Sequence, residues 1–179
     1  MGILLQFLAT RALAPILGTI VLLTMGEHPV SLSKPEVLMK GDTLFISTKL
    51  NNGFTKELKE IIKSGTTVTL RLQVEADKKC YFTHTVHYDI EKRVYNIDFG
   101  EGVVIDDRKI STDNEEKMIG LVSHFSHIFF LKNEISLSQK IKIRAFLDPV
   151  RLDFLDNEEF DLMTLWDYIS PQQTIEVKR

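Results

Sequence analysis

Histidine is the first residue type to weigh as a chemical centre, because its imidazole titrates near neutrality and ligates metals. The chain has five of them. His84 and His87 stand three apart in a stretch of alternating hydrophobicity, and on a strand that spacing sends their side chains to opposite faces, so they do not share one ion. His124 and His127 would share a face if a helix opening near Asp113 ran on through them, with Glu116 two turns back. Neither H-E-x-x-H nor a matching second carboxylate accompanies them, and histidines that meet solvent or complement a helix C-terminus are the simpler expectation. The polar cluster Asp153, Asp156, Asn157, Glu158, Glu159 and Asp161 has the composition of a calcium loop but neither the spacing nor the turn glycine of an EF-hand. Carboxylates gathered at a helix start account for it. Asp106-Asp107 has the residue types of an acid/base pair, yet adjacent acids in a polar loop lack the apolar setting that would set one apart from the other.

Cys80 is the only cysteine. It excludes an intrachain disulfide and a thiolate metal cluster, and a buried or half-buried thiol is expected. There is no Walker loop, no G-x-G-x-x-G after a strand and no G-x-S-x-G elbow, and Gly100-Glu-Gly102 is better explained as a turn. The expectation is a protein that is not an enzyme, with no catalytic residue, no cofactor and no metal. Trp166, the only tryptophan, is expected in the core with its N–H satisfied; a binding anchor within Leu165-Trp166-Asp167-Tyr168 is the competing role.

The elements that would carry these side chains follow from composition and periodicity. A chain of 179 residues, 44% hydrophobic and 26% charged, has the makings of one globular domain with an ordinary core once any targeting segment is set aside. Its formal net charge of -3, with both signs interspersed, argues against the basic field of a nucleic-acid binder.

At the N-terminus, Ile3 to Leu8 is apolar except for Gln6, Arg11 interrupts, and Ala12 to Met25 continues without a charge. A signal-peptide core needs roughly 7 to 15 apolar residues and a span about 20, so residues 1–26 form either a signal peptide or a signal-anchor transmembrane helix. Ile16, Leu17, Ile20, Val21, Leu22 and Leu23 are the membrane-anchoring residues. Residues 27–40, with Pro29 and Pro35, are expected as a linker, and 41–179 as a single extracytoplasmic β-rich domain.

Within that domain Leu44, Ile46, Thr48 and Leu50 alternate as in a half-buried strand. In L-N-N-G-F-T-K-E-L-K-E-I-I-K-S-G, from Leu50 to Gly65, Thr55 is an expected N-cap and Ser64-Gly65 a C-terminal stop for a helix carrying Leu58, Ile61 and Ile62. Val68, Leu70, Leu72 and Val74 share one face of the clearest strand, and Phe82, His84, Val86 and Tyr88 continue the alternation in its antiparallel partner. Tyr95, Ile97 and Phe99 extend the meander. Ser111-Thr112-Asp113 opens an expected helix through Met118, Leu121 and Val122, Ile128 to Leu131 is extended, and Ile141, Ile143, Ala145 and Leu147 form a one-sided strand ended by Pro149. A last helix, capped at Asn157-Glu158-Glu159, would carry Leu162, Trp166 and Ile169 as far as Pro171. The fold class expected is mainly β: an antiparallel β-sandwich-like (α+β) domain with two or three short helices, preceded by an N-terminal hydrophobic helix.

The segment from Leu50 to Val74, the following V-x-Y-D and V-Y-N, and the late L-W-D-Y-I-S-P together resemble the bacterial envelope proteins grouped as domain of unknown function 4390 (DUF4390-like), over roughly residues 35 to 171. The resemblance implies a membrane-anchored or exported bacterial domain of β-rich fold, at the periplasmic face of the cytoplasmic membrane, or in the periplasm if the segment is cleaved. It carries no catalytic residue. The function expected is therefore protein–protein interaction in the cell envelope, in signalling or maintenance, with the membrane and an envelope protein as partners and no residue singled out for partner binding. A carrier of lipid or another apolar ligand, its cavity lined from the 11 phenylalanines, is the alternative.

Overall fold

Alternating apolar residues dominate the sequence, and strands dominate the structure. The computed structural model describes residues 29–40, 43–76, 79–100, 108–131, 140–152 and 158–176, with Met39 and residues 126–131 described by backbone alone. Ile16, Leu17, Ile20, Val21, Leu22 and Leu23 lie outside the described residues, as do Asp106, Asp107, Asp153, Asp156 and Asn157. In chain order the elements are β1 (Ser31–Leu32), β2 (Glu36–Lys40), β3 (Thr43–Asn51), α1 (Lys56–Lys63), β4 (Val68–Glu75), β5 (Lys79–Asp89), β6 (Val94–Phe99) and β7 (Lys109–Thr112). Then come α2 (Glu115–Ser123), β8 (His124–Leu131), β9 (Lys140–Leu147), β10 (Val150–Arg151), β11 (Glu159–Phe160), a 3-10 turn over Leu162–Trp166, and β12 (Gln172–Glu176). Among the described residues the protein is mainly β, with antiparallel sheets, two helices and that turn.

The larger sheet has six strands in the order β12-β9-β4-β5-β6-β7. Its register brings Leu147, Leu70, His84 and Phe99 into one row across four strands, and all four are buried. Val68, Val86 and Ile97 make the next row on the same face. β10 and β11 pair as a separate two-stranded ribbon; in the smaller of the two main sheets β3 is central: β1 and β2 pair along one side of it, β8 along the other. Leu44, Ile46, Thr48 and Leu50 are its buried face. A bulge in β8 sets two residues, Ser126 and His127, against Ser47, since Ile46 pairs with Ile128 and Thr48 with Phe125. One hydrophobic core draws on both sheets, both helices and the 3-10 turn. Each large side chain fully buried there contributes about 1.5–3 kcal/mol of hydrophobic stabilisation.

The helix after β3 forms where its sequence asks for one. Asn52, with φ at +57°, ends the strand, the Thr55 hydroxyl accepts from Leu58 N–H at 3.2 Å, and Glu57 occupies the first turn and Lys63 the last. Leu58, Ile61 and Ile62 are buried. Gly65 takes φ at +87° just beyond the cap and donates its N–H to Ile62 O, a left-handed stop that glycine tolerates best. Thr55→Ala is expected to lower stability by about 1 kcal/mol, read as a shifted urea midpoint at unchanged slope; an unchanged midpoint would show that the cap contributes nothing.

Several expectations are corrected. The 27–40 segment, expected as a linker, carries β1 and β2: Leu32 is buried, and β2 zips along β3 from Glu36↔Ser47 to Lys40↔Thr43. Ser111 and Thr112 belong to β7, and Asn114 caps the helix that follows, its side chain accepting from Lys117 N–H at 2.9 Å. That helix stops at Ser123, so His124 and His127 fall in β8 and their helical spacing does not apply. The expected helix from Asn157 through Ile169 is a five-residue 3-10 turn, capped by Asp161 and ended by left-handed backbone at Asp167 and Tyr168. Packing of Trp166 into the core sets its limit, and β12 follows Pro171 directly.

Candidate functional site

His84 is the most chemically distinctive group in the interior. β5 brings it to the inner face of the larger sheet, where it is fully buried. Its ring stacks on Phe125 at 4.1 Å and meets Phe99 edge-on at 4.7 Å. The Val122 carbonyl, one residue from the end of α2, lies 2.8 Å from Nδ1; because a carbonyl only accepts, Nδ1 carries the proton and donates. Nε2 is then an unprotonated lone pair, buried without a hydrogen-bond partner among the described residues. Burial disfavours the imidazolium and lowers the pKa to about 4, against the bond to Val122, with a further small lowering from His124. A neutral imidazole fixed by one hydrogen bond and two rings locks the larger sheet to α2 and β8.

His87 and His124 lie apart from it. His87 is exposed on the opposite face of β5, with Nδ1 3.4 Å from the Thr67 hydroxyl, as the alternation requires. His124 caps α2, is exposed, and lies 3.2 Å from the Ser47 hydroxyl. Among the described residues, no three His, Cys, Asp or Glu side chains gather in a way that would hold a metal ion. Glu158, Glu159 and Asp161 are exposed, and Asp161 serves as the cap described above. Cys80, in β5, is half-buried.

A polar cluster fastens the two helices. The Glu115 carboxylate lies 2.6 Å from Lys63 Nζ and 3.6 Å from Lys59 Nζ, and accepts from the Tyr95 hydroxyl at 3.2 Å. Lys63 holds the Glu115 carboxyl below its ordinary range and is itself raised by that bond, while burial raises the Tyr95 phenol. Because the folded-state value of Glu115 is depressed, its stabilisation is present above the unfolded value of 4.5 and is lost as pH falls through the folded one. Glu115→Gln is expected to cost about 0.5–1 kcal/mol at pH 7 and less at high salt, measured by denaturant melts at two ionic strengths; a loss that does not respond to salt would assign the effect to packing.

The surface offers a different kind of site. β2 pairs with β3 along one side, and among the described residues no strand pairs with its other side. Val37 is 41% exposed and Leu38 64%. An edge strand carrying exposed apolar residues is the arrangement that natural sheets usually blunt with charge, proline or a covering element. The open-sided strands of the larger sheet are blunted: β7 has four residues, with Lys109 paired to Asp98, and β12 is polar except for Ile175, with the Gln173 amide donating to Leu32 O at 3.0 Å. Tyr168 and Ile169 are further exposed apolar side chains, beside a buried Trp166.

None of the residues at this edge stands out in the sequence as a functional position. Three successive apolar residues between Glu36 and Lys40 show no alternation, and the prolines around them suggest a linker. The available signal was Gly41-Asp42, a hairpin dipeptide between two β-prone runs. Comparison with known proteins gives no match to a family model, to a curated protein or to a solved structure. Among the described residues no helix is long and apolar enough to cross a membrane.

Proposed function

We propose that this chain is a non-enzymatic domain of the bacterial cell envelope that works by protein–protein interaction, held at the periplasmic face of the cytoplasmic membrane by residues 1–26 or exported to the periplasm. The resemblance to the DUF4390-like envelope proteins and the apolar N-terminal sequence support the address. The single observation that carries the activity is the open edge of β2, where Val37 and Leu38 are exposed on a strand with backbone free to pair. The finer architecture belongs to the same proposal: a β-sandwich-like packing of the two sheets, supported by the stacking of Phe125 from the smaller on His84 from the larger, after an N-terminal hydrophobic helix.

Native mass spectrometry of the full chain, released from bacterial membranes in mild detergent, tests this reading against a carrier. The expected species carries the mass of a protein partner and no stoichiometric lipid. A monomer that retains lipid or another apolar molecule through delipidating detergent would overturn it. Phe82, Phe99 and Phe125, three of the phenylalanines a carrier would turn toward a cavity, belong to the buried core.

A further inference from the structure

The edge of β2 is complementary to itself. Its sequence is Glu-Val-Leu-Met-Lys. Laid antiparallel against a second copy about Leu38, it sets Glu36 opposite Lys40 of the partner subunit, Lys40 opposite the partner subunit's Glu36, and the two copies of Leu38 opposite each other. Opposite charges then meet at both ends and apolar residues in the middle, the pairing that stabilises antiparallel strands. We infer that the protein associates with a second copy of this chain through β2, joining the two smaller sheets into one continuous sheet across a two-fold axis at Leu38.

The register within the protomer supports this geometry. Glu36, Leu38 and Lys40 pair with Ser47, Phe45 and Thr43 of β3, whereas Leu44 and Ile46 of β3 face the core. Cross-strand partners share a face, so Glu36, Leu38 and Lys40 all stand on the outer face, with half-buried Phe45 beside Leu38. In the pair, the row Phe45–Leu38 would meet its symmetry copy, flanked by two ion pairs. Both charged residues are exposed and neither takes part in the ion pairs found among the described residues. A two-fold axis needs a surface that complements itself, and five residues in which charge reverses about a central leucine meet that requirement. An unrelated partner strand would match the edge backbone equally well but gives no reason for this symmetry.

Five paired residues bury less surface than a stable soluble dimer needs, about 1,200 Å² or more. Confinement of both copies to one membrane supplies the missing effective concentration, and β2 begins at Glu36, shortly after the apolar sequence ends at Met25. In this the inference rests on the envelope interaction reading above.

The test is disulfide trapping of the full chain in bacterial membranes, in a Cys80→Ser background. Leu38→Cys, at the axis, is expected to give a disulfide-linked dimer on mild oxidation, and Ile90→Cys, exposed in the β5–β6 turn, is not. Adding Glu36→Lys places like charges opposite each other at both ends and should lower the dimer yield about tenfold, while Glu36→Lys with Lys40→Glu should restore it. Equal yields from the single and double charge variants, or equal trapping at positions 38 and 90, would overturn the pairing. Trapping of position 38 to a different protein would also overturn it while leaving the interaction reading in place; no protein adduct at either position would count against both.

Discussion

Replacing Trp166 by alanine is expected to cost about 4 kcal/mol. The ring is 3% exposed, and its Nε1–H donates to Gly53 O at 2.9 Å across 113 residues of sequence. That bond joins the turn after β3 to the 3-10 turn that precedes β12. Gly53 is buried there, and a Cβ at that position would run into the Leu50 side chain. Truncation therefore leaves a cavity beside Gly53 and strips the Gly53 carbonyl of its donor. Trp166→Phe should keep most of the packing and lose about 1–2 kcal/mol through the unsatisfied carbonyl. Denaturant unfolding of the two variants checks both numbers. A loss below about 1 kcal/mol for Trp166→Ala would mean that the tryptophan is a surface anchor and not part of the core.

Acid should destabilise the protein through His84 by the next largest amount. The folded-state pKa is about 4 and the unfolded value 6.5. A neutral imidazole buried in the folded state binds fewer protons than it does when unfolded, so its full contribution is present above pH 6.5 and is lost progressively as pH falls toward 4. At 1.36 kcal/mol per pKa unit the loss approaches about 3 kcal/mol. Protonation would place a charge between Phe99 and Phe125, where the only hydrogen-bond partner among the described residues is the Val122 carbonyl. His84→Gln cannot titrate, so although it is less stable at pH 7 its stability should fall less steeply between pH 6.5 and 4 than the parent's. Equal slopes in a series of urea melts across that range would place the acid sensitivity elsewhere, with the Glu115 cluster acting only at the lower end.

Sequence pattern and structure agree best where one face of an element is buried and the other is wet. Val68, Leu70, Leu72 and Val74, with Ile141, Ile143, Ala145 and Leu147, alternate without a break, and each set lies on the buried face of a strand. The helix between Thr55 and Gly65 was legible for a similar reason: cap, dipole charges, apolar spacing and stop all agree. Elements held mainly by long-range contacts were not legible. The 3-10 turn ends where Trp166 reaches Gly53, β12 forms because β9 offers an edge from Lys140 to Arg144, and β2 because β3 offers one from Thr43 to Ser47. Nothing in a local window reports those partners. The site shows the same division. Alternation separates His84 from His87, but the stacking of His84 between two strands and a helix end depends on Phe125 and Val122, about 40 residues away in sequence.

An interaction domain of this kind must meet protein at the β2 edge in the membrane. The most direct measurement is site-specific photocrosslinking of the full chain in bacterial membranes, with a photoreactive phenylalanine analogue at Leu38 and, as a control, at exposed Lys117 on α2. Protein adducts are expected from position 38 that are absent from 117 and are lost when Val37 is replaced by proline, which cannot donate a backbone hydrogen bond to a paired strand. Lipid-only adducts at position 38, or identical protein adducts from both positions, would contradict the interaction reading.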